Sequence, residues 1–231
     1  MRKEEITENL NRVHERIVTS CVSCARDPGE VTLLAVSKTR PAQDLRLAFE
    51  AGQRDFGENY LQEALEKQVA LADLAIIWHF IGPLQSNKTR AVAEHFHWMH
   101  SVDRLKIAQR LSAQRPRDMP PLNLCLQVNI DGEASKSGVA PHEAGALAEA
   151  VAQLPNLRLR GLMAIPAPRQ TAEERQQPFL ALASLLAQLR ERLPDQPLDT
   201  LSMGMSGDME AAIPCGATVV RIGTDIFGRR E

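Results

Sequence analysis

The chain has 231 residues, 44% of them apolar and 24% charged, with a formal net charge of −2. That is a globular composition with length for one large α/β domain or two small ones, and its near-neutral charge argues against a nucleic-acid or membrane partner. No apolar run reaches the length of a membrane span, and the charged start Met1-Arg-Lys-Glu-Glu-Ile has no apolar signal segment, so a cytoplasmic protein is expected.

Residues 2–26 form an amphipathic pattern, with Ile6, Leu10, Val13 and Ile17 at helical spacing, ended by Asp27-Pro-Gly29. Short apolar runs then predict strands at 31–37, 53–57, 75–81, 97–102, 122–130, 157–165, 199–203 and 218–222. Helical patterns follow near 41–51, 59–71, 86–94, 103–115, 141–153, 171–193 and 207–214, with a short helix at 224–228. Strand alternating with helix implies a parallel sheet. Eight such units predict a (β/α)8 TIM barrel with an extra N-terminal helix, with an open doubly wound sheet as the alternative. No linker or composition break interrupts the pattern, so residues 1–231 read as a single domain.

Four cysteines, Cys21, Cys24, Cys125 and Cys215, are too few and too dispersed for a disulfide framework. Cys21-Val-Ser-Cys24 has redox or metal spacing, but it lies in a helical pattern and no second pair completes a zinc site. Glu94-His-Phe-His-Trp-Met-His100 holds three histidines without a carboxylate spaced as a fellow ligand, so no metal is expected there. His79, inside the apolar run 76–81, reads as a hydrogen-bonded core histidine. Asp131-Gly-Glu-Ala-Ser-Lys-Ser-Gly138 reads either as a cover for the barrel mouth or as a plain surface loop.

In a barrel, chemistry sits where strands end, and polar and glycine residues gather at those ends here. Lys38 follows the apolar run Val31-Thr-Leu-Leu-Ala-Val-Ser. A lysine there either snorkels to solvent or serves as a partly desolvated amine able to form an imine with an aldehyde. Pyridoxal phosphate (PLP) is the obvious aldehyde. It asks for a lysine, for donors to its phosphate and for a partner at its ring nitrogen. Gly204-Met-Ser206-Gly207 and Gly223-Thr224 each follow a predicted strand and open a helix, where unpaired N–H groups suit a phosphate. Ser206 and Thr224 add hydroxyls, though both also suit ordinary N-caps. Arg221, among core residues of the last strand, reads either as half of a buried ion pair or as a donor to the ring nitrogen. An arginine does not give up its proton, so it would leave that nitrogen unprotonated.

The segments Leu34-Ala-Val-Ser-Lys-Thr-Arg-Pro41, Phe56-Gly-Glu-Asn-Tyr-Leu-Gln-Glu63, Trp78-His-Phe-Ile-Gly-Pro-Leu-Gln-Ser-Asn-Lys88, Ser135-Lys-Ser-Gly138, Leu159-Arg-Gly-Leu-Met-Ala-Ile-Pro166, Leu201-Ser-Met-Gly-Met-Ser206, Asp208-Met-Glu-Ala-Ala212 and Val220-Arg-Ile-Gly-Thr224 follow in order along the chain. In these the chain resembles the pyridoxal phosphate homeostasis proteins, relatives of the alanine racemase N-terminal barrel. The resemblance implies PLP held covalently on Lys38, phosphate contacts from Ser206, Gly223 and Thr224, Arg221 at the ring nitrogen, and Asn59 and Met203 to Met205 close to the cofactor. It implies a carrier or regulator of PLP and of the amino-acid and keto-acid balance, without established turnover. Release to PLP-dependent apoenzymes is expected beside it, and a monomer is expected because the racemase C-terminal dimer contact is not. Two departures from the pattern are Gly207, where an acidic residue is expected, and Gly132-Glu-Ala between Asp131 and Ser135.

The alternative is an amino-acid racemase, which needs a base on each face of the substrate carbon. Alanine racemases take a tyrosine from a separate C-terminal domain, which is not expected in a chain ending at Glu231, and the sole tyrosine here is Tyr60. A cofactor-free Schiff-base aldolase would leave two phosphate-ready loops unexplained unless its substrate were phosphorylated.

Overall fold

The computed structural model describes residues 1–133 and 136–229. Eight strands close into a barrel in sequence order: β1 (Thr32–Val36), β2 (Asp55–Glu58), β3 (Ile77–Phe80), β4 (Trp98–Val102), β5 (Leu122–Gln127), β6 (Leu157–Met163), β7 (Thr200–Met205) and β8 (Val219–Ile222). Every neighbouring pair is parallel, including β8 with β1, so this is a (β/α)8 barrel and not an open sheet. The helices are α1 (Arg2–Ser23), α2 (Ala42–Glu50), α3 (Leu61–Ala70), α4 (Thr89–His95), α5 (Leu105–Gln114), α6 (Ala144–Ala152), α7 (Ala172–Arg192), α8 (Met209–Ala212) and α9 (Thr224–Phe227). Among the described residues, no helix is long and apolar enough to cross a membrane.

The main core lies between the outer face of the barrel and the helices. α1 joins it through Ile6, Leu10, Val13 and Ile17, all buried, and packs on α2, α8 and α9. The helical pattern predicted to residue 26 stops earlier, at Ser23. Ala25 takes a left-handed φ of 56°, and Arg26 turns in to donate to the carbonyls of Ile213 and Ala217. Cys21 is buried in the α1 face and burial pushes its thiol up, which makes it a poor nucleophile. Cys24 donates to the carbonyl of Ser20.

Most strands are a residue or more shorter than predicted, and two ends differ for clear local reasons. β2 starts at Asp55, not 53, because the Gln53 side chain stands in for backbone pairing by donating to the carbonyls of Leu33 and Asp55. β7 runs on to Met205 because its register shifts between Ser202 and Met205 and then pairs Met205 with Arg221. Gly204 accommodates that shift with φ +94°, where a Cβ would also stand 2.8 Å from Ala212 Cβ.

The barrel interior is unusual in being largely polar. Among the described residues, Leu34, Ile81 and Val219 form an apolar cluster inside it, with Val36 packed against them. Elsewhere inside, His100 of β4 reaches across to Ser202 of β7.

Because Leu10 is 2% exposed in the face that α1 lays on the barrel, Leu10→Ala should lower the unfolding free energy by about 2–5 kcal/mol. Urea unfolding measures this as a lower midpoint at unchanged slope. A loss below about 1 kcal/mol would show that α1 rests on the barrel without stabilising it.

Candidate functional site

The β1–β8 pairing sets Leu34 beside Arg221 and Ala35 beside Ile222, so the loops that follow both strands share one rim. There Lys38, Asn59, Ser206, Arg221, Gly223 and Thr224 line a single cavity of about 280 Å³. Arg40, Met205 and Gly207 line it too.

Lys38 stands two residues beyond the end of β1, in a turn rather than on the strand. That turn is anchored by a buried ion pair. Lys67 of α3 donates to Glu58 Oε1 at 2.7 Å, to the Ser37 carbonyl at 2.7 Å, and to Glu63. The Ser37 hydroxyl donates to the same Glu58 oxygen at 2.7 Å. Glu63 Oε1 also accepts the Thr39 N–H at 2.6 Å. Thr39 has φ +64°, a costly conformation for a β-branched residue, and this hydrogen bond helps hold it. Both neighbours of Lys38 are therefore pinned to α3. Burial pushes the Glu58 carboxyl up, while Lys67 and Ser37 pull it back.

Asn59 follows β2, and its Oδ1 is buried with no hydrogen-bond partner among the described residues. Its backbone is fixed by Gly82, where a Cβ would fall 2.2 Å from the Asn59 carbonyl oxygen.

Two loops form the anion side. Among the described residues, no acceptor takes the N–H groups of Ser206, Gly207, Gly223 or Thr224. The Met205 N–H is instead used by Asp208 Oδ1 at 2.6 Å, which shapes the turn and delays α8 to Met209. Gly223 keeps room beside β1, since a Cβ there would stand 3.1 Å from the Val36 carbonyl. Arg16 of α1 ties the loops together from outside, donating to the Ser206 carbonyl at 3.0 Å, to Glu210 at 2.7 Å and to Asp225. One guanidinium thus fixes the spacing between the two sets of free donors.

Arg221 is 5% exposed, and its hydrogen bonds go to neutral acceptors rather than to a carboxylate. Nη1 donates to the Ser202 carbonyl (2.6 Å) and hydroxyl (2.9 Å), and Nη2 to the Ala164 carbonyl at 2.9 Å. Burial pushes it down to about 10, which still leaves it charged at neutral pH. The ion-pair alternative for Arg221 is not what the fold builds.

Met203 does not line the cavity. It is fully buried in the core outside the barrel wall, and the side chain that reaches the cavity is Met205. Strand alternation explains this, since the register shift at Gly204 separates the two methionines. Ser135 lies outside the described residues. The three histidines of the 94–100 segment part company: His95 ends α4, His97 precedes β4 and accepts the Trp78 N–H, and His100 is buried. Tyr60 is 54% exposed ahead of α3 and is absent from the cavity wall. The sequence did not signal Arg16, whose partners are about 190 to 209 residues away, or Lys67, which looks like an ordinary helix-surface lysine four residues after Glu63. Arg40 lies in the segment 34–41, but nothing in the sequence singled it out; the Arg40 N–H bond to the Ser37 carbonyl turns it toward the cavity.

This rim defines a class: a parallel barrel that offers an amine, a donor-rich anion cradle and a guanidinium to one small phosphorylated ligand. The residues present fit PLP: Lys38 would face its aldehyde, the N–H groups of the two loops with the hydroxyls of Ser206 and Thr224 its phosphate, and Arg221 its ring nitrogen. The volume is at the lower edge of ligand pockets, as suits a small cofactor. Residues 4–231 match the family described as alanine racemase, N-terminal domain. The pyridoxal phosphate homeostasis protein of Pseudomonas aeruginosa is 65% identical over 228 residues, covering 98% of this chain and 96% of that protein. Its counterpart in Escherichia coli K12 is 54% identical over 230 residues, covering 98% and 97%. PipY of Synechococcus elongatus, solved with PLP bound, matches with a TM-score of 0.84 at 40% identity, over 96% of this chain and 100% of that one. The alanine racemase of Corynebacterium glutamicum shares the fold, with a TM-score of 0.73 at 17% identity over 99% of this chain and 62% of that one. The chain belongs to the alanine racemase N-terminal domain family, among its pyridoxal phosphate homeostasis proteins.

Replacing Lys67 by Met leaves Glu58 buried without its cation and should cost about 3–5 kcal/mol of stability. Glu58 then favours its protonated form in the fold. A carboxyl raised above its unfolded pKa gives stability that is present at low pH and lost as pH rises, so the deficit should widen above about pH 4. Urea midpoints across pH check this, and a deficit that shrinks with rising pH would contradict it. Arg16→Ala should loosen both anion loops and weaken phosphate binding by roughly tenfold, measured by titration with inorganic phosphate or PLP. Unchanged binding would show that the loops hold their spacing without it.

Proposed function

We propose that this protein is a PLP carrier that maintains the PLP supply, holding the cofactor covalently through Lys38 and releasing it to PLP-dependent apoenzymes. The convergence of Lys38, the two anion loops and Arg221 on one cavity carries this reading. PLP supplies an aldehyde that condenses with amines and a ring that can draw electrons from the carbon an amine carries.

The residues divide the work. Lys38 offers its amine from a turn that Lys67 and Glu58 hold in place. Ser206, Gly223 and Thr224, with Gly207, offer N–H and hydroxyl donors to the phosphate. Asn59 brings a buried acceptor without a partner to the same wall. Met203 supports the wall from the core behind it. Arg221 donates to the ring nitrogen and leaves it unprotonated, a choice that favours holding the cofactor over stabilising a carbanion.

Racemisation is not supported by the geometry. It needs a second base opposite Lys38, and the one tyrosine is exposed away from the cavity. The names of the relatives, homeostasis proteins rather than racemases, favour the same reading. The carrier is read as a cytoplasmic monomer, with no membrane or nucleic-acid partner.

The test is transfer. PLP-loaded protein, freed of excess cofactor, is mixed with an apo-aminotransferase, and the recovered transaminase activity is followed. Wild type should restore activity, and Lys38→Ala should give no borohydride-stable adduct while it still binds phosphate. Loaded protein that exchanges the α-proton of L-alanine with solvent deuterium under turnover would overturn the carrier reading in favour of a racemase.

A further inference from the structure

A continuous line of side chains crosses the barrel interior beneath the cavity. Asp55 Oδ1 lies 3.0 Å from His79 Nε2, and His79 Nδ1 lies 2.9 Å from His100 Nε2. His100 Nδ1 lies 2.8 Å from Ser202 Oγ, which accepts from Arg221 Nη1 at 2.9 Å. The line starts at the first residue of β2, near the far mouth, and ends on the guanidinium at the cavity.

Its ends dictate its direction. An ionised Asp55 can only accept and Arg221 can only donate, so with both imidazoles neutral the hydrogens run one way: Ser202 Oγ accepts from Arg221 and turns its own hydrogen toward His100 Nδ1. His100 must then carry its proton on Nε2 and donate to His79 Nδ1. His79 must carry its proton on Nε2 and donate to Asp55. An ionised carboxylate at the end accepts that last hydrogen, so every donor meets one acceptor with both imidazoles neutral. With both rings neutral and Asp55 ionised, reversing a link would turn two hydrogens or two lone pairs toward each other, which is costly in this interior.

The surroundings favour the neutral rings. His79 and His100 are 2% and 0% exposed. Burial pushes both down, His100 well below the ordinary imidazole range, where the neighbouring His79 and the Arg221 guanidinium also disfavour a charge on it. His79 faces Asp55 from β2, lies near His97, and stacks on Trp98 of β4 with ring centroids 5.5 Å apart. The guanidinium of Arg160 in turn covers the Trp98 ring at 4.7 Å, closing the floor. The rings have little freedom to turn.

We propose that Asp55, His79, His100 and Ser202 form a one-way hydrogen-bond relay that positions Arg221 against the ring nitrogen of the cofactor. This rests on the reading of the cavity as a PLP site. Ser202 and His100 are then positioning residues acting through Arg221. The relay also spans a distance that single contacts do not. It ties the geometry at the cavity to a carboxylate near the opposite mouth, whose side chain is 22% exposed.

The first test needs no cofactor. Nitrogen-15 shifts of the imidazoles in the cofactor-free protein report each tautomer. Both His79 and His100 should be neutral with the proton on Nε2. An Nδ1–H tautomer or an imidazolium at His100 near neutral pH would overturn the relay. The second test reads the positioning. Ser202→Ala removes the link and keeps the backbone carbonyl that also holds Arg221. It should weaken PLP binding roughly tenfold, the worth of one hydrogen bond to a charged group, and should shift the visible band of bound PLP. His100→Gln keeps one acceptor and one donor in line and should stay near wild type in both readouts, while His100→Leu should match Ser202→Ala. Equal behaviour of the Gln and Leu variants, or wild-type binding and spectrum in Ser202→Ala, would overturn the positioning role. A wild-type protein that binds no PLP would instead sink the reading of the cavity and leave the tautomer result standing.

Discussion

The pairing of β1 with β8 is the contact on which the site depends. It closes the barrel and brings residues from opposite ends of the chain, Leu34 and Arg221, into register. Parallel strands all point the same way, so closure sends every following loop to one rim. Lys38, the Ser206 loop and the Gly223 loop reach a common cavity for that reason. An open sheet of the same strands would leave β1 and β8 at separate positions and the site divided.

Closure has a second consequence, inside. Barrels of this kind commonly fill their lumen with branched apolar side chains. This one commits much of the space to Asp55, His79, His100, Ser202 and Arg221. Burying such groups is tolerable only when each is hydrogen-bonded. The same rule governs the Lys67–Glu58 pair under the Lys38 turn, where Ser37 and Glu63 complete the bonding. Buried polar groups of this sort contribute less to stability than to a fixed geometry. Here they fix the two side chains that would meet the two ends of PLP, its aldehyde and its ring nitrogen. The price in stability is met outside the barrel wall, where the apolar core and α1 lie.

Much of this was legible in the sequence. Eight apolar runs alternating with helical patterns point to a parallel sheet and to a barrel, with the open doubly wound sheet set aside only by the β8–β1 pairing. Lys38, Ser206, Arg221, Gly223 and Thr224 stand out because polar residues and glycine at strand ends are where a barrel places its loops. Met203 was less legible, because which face of β7 it takes depends on the register shift at Gly204. Arg16, Lys67 and the members of the interior line were not legible as a group. Each looks ordinary alone: an arginine on an amphipathic helix, a lysine four residues after a glutamate, a histidine in an apolar strand. Their roles come from partners that the fold brings near, as when Arg16 meets Ser206, Glu210 and Asp225, or His100 reaches Ser202 across the barrel. His79 shows the limit well, since a hydrogen-bonded core histidine was expected and the identity of its partners was not.

The central claim is that Lys38 holds PLP covalently. The direct measurement is to incubate the purified protein with PLP, reduce with borohydride, digest, and locate the added mass by peptide sequencing in a mass spectrometer. The account predicts a single phosphopyridoxyl group on the peptide that contains Lys38. A modification on other lysines with Lys38 unlabelled, or no label after reduction, would contradict it.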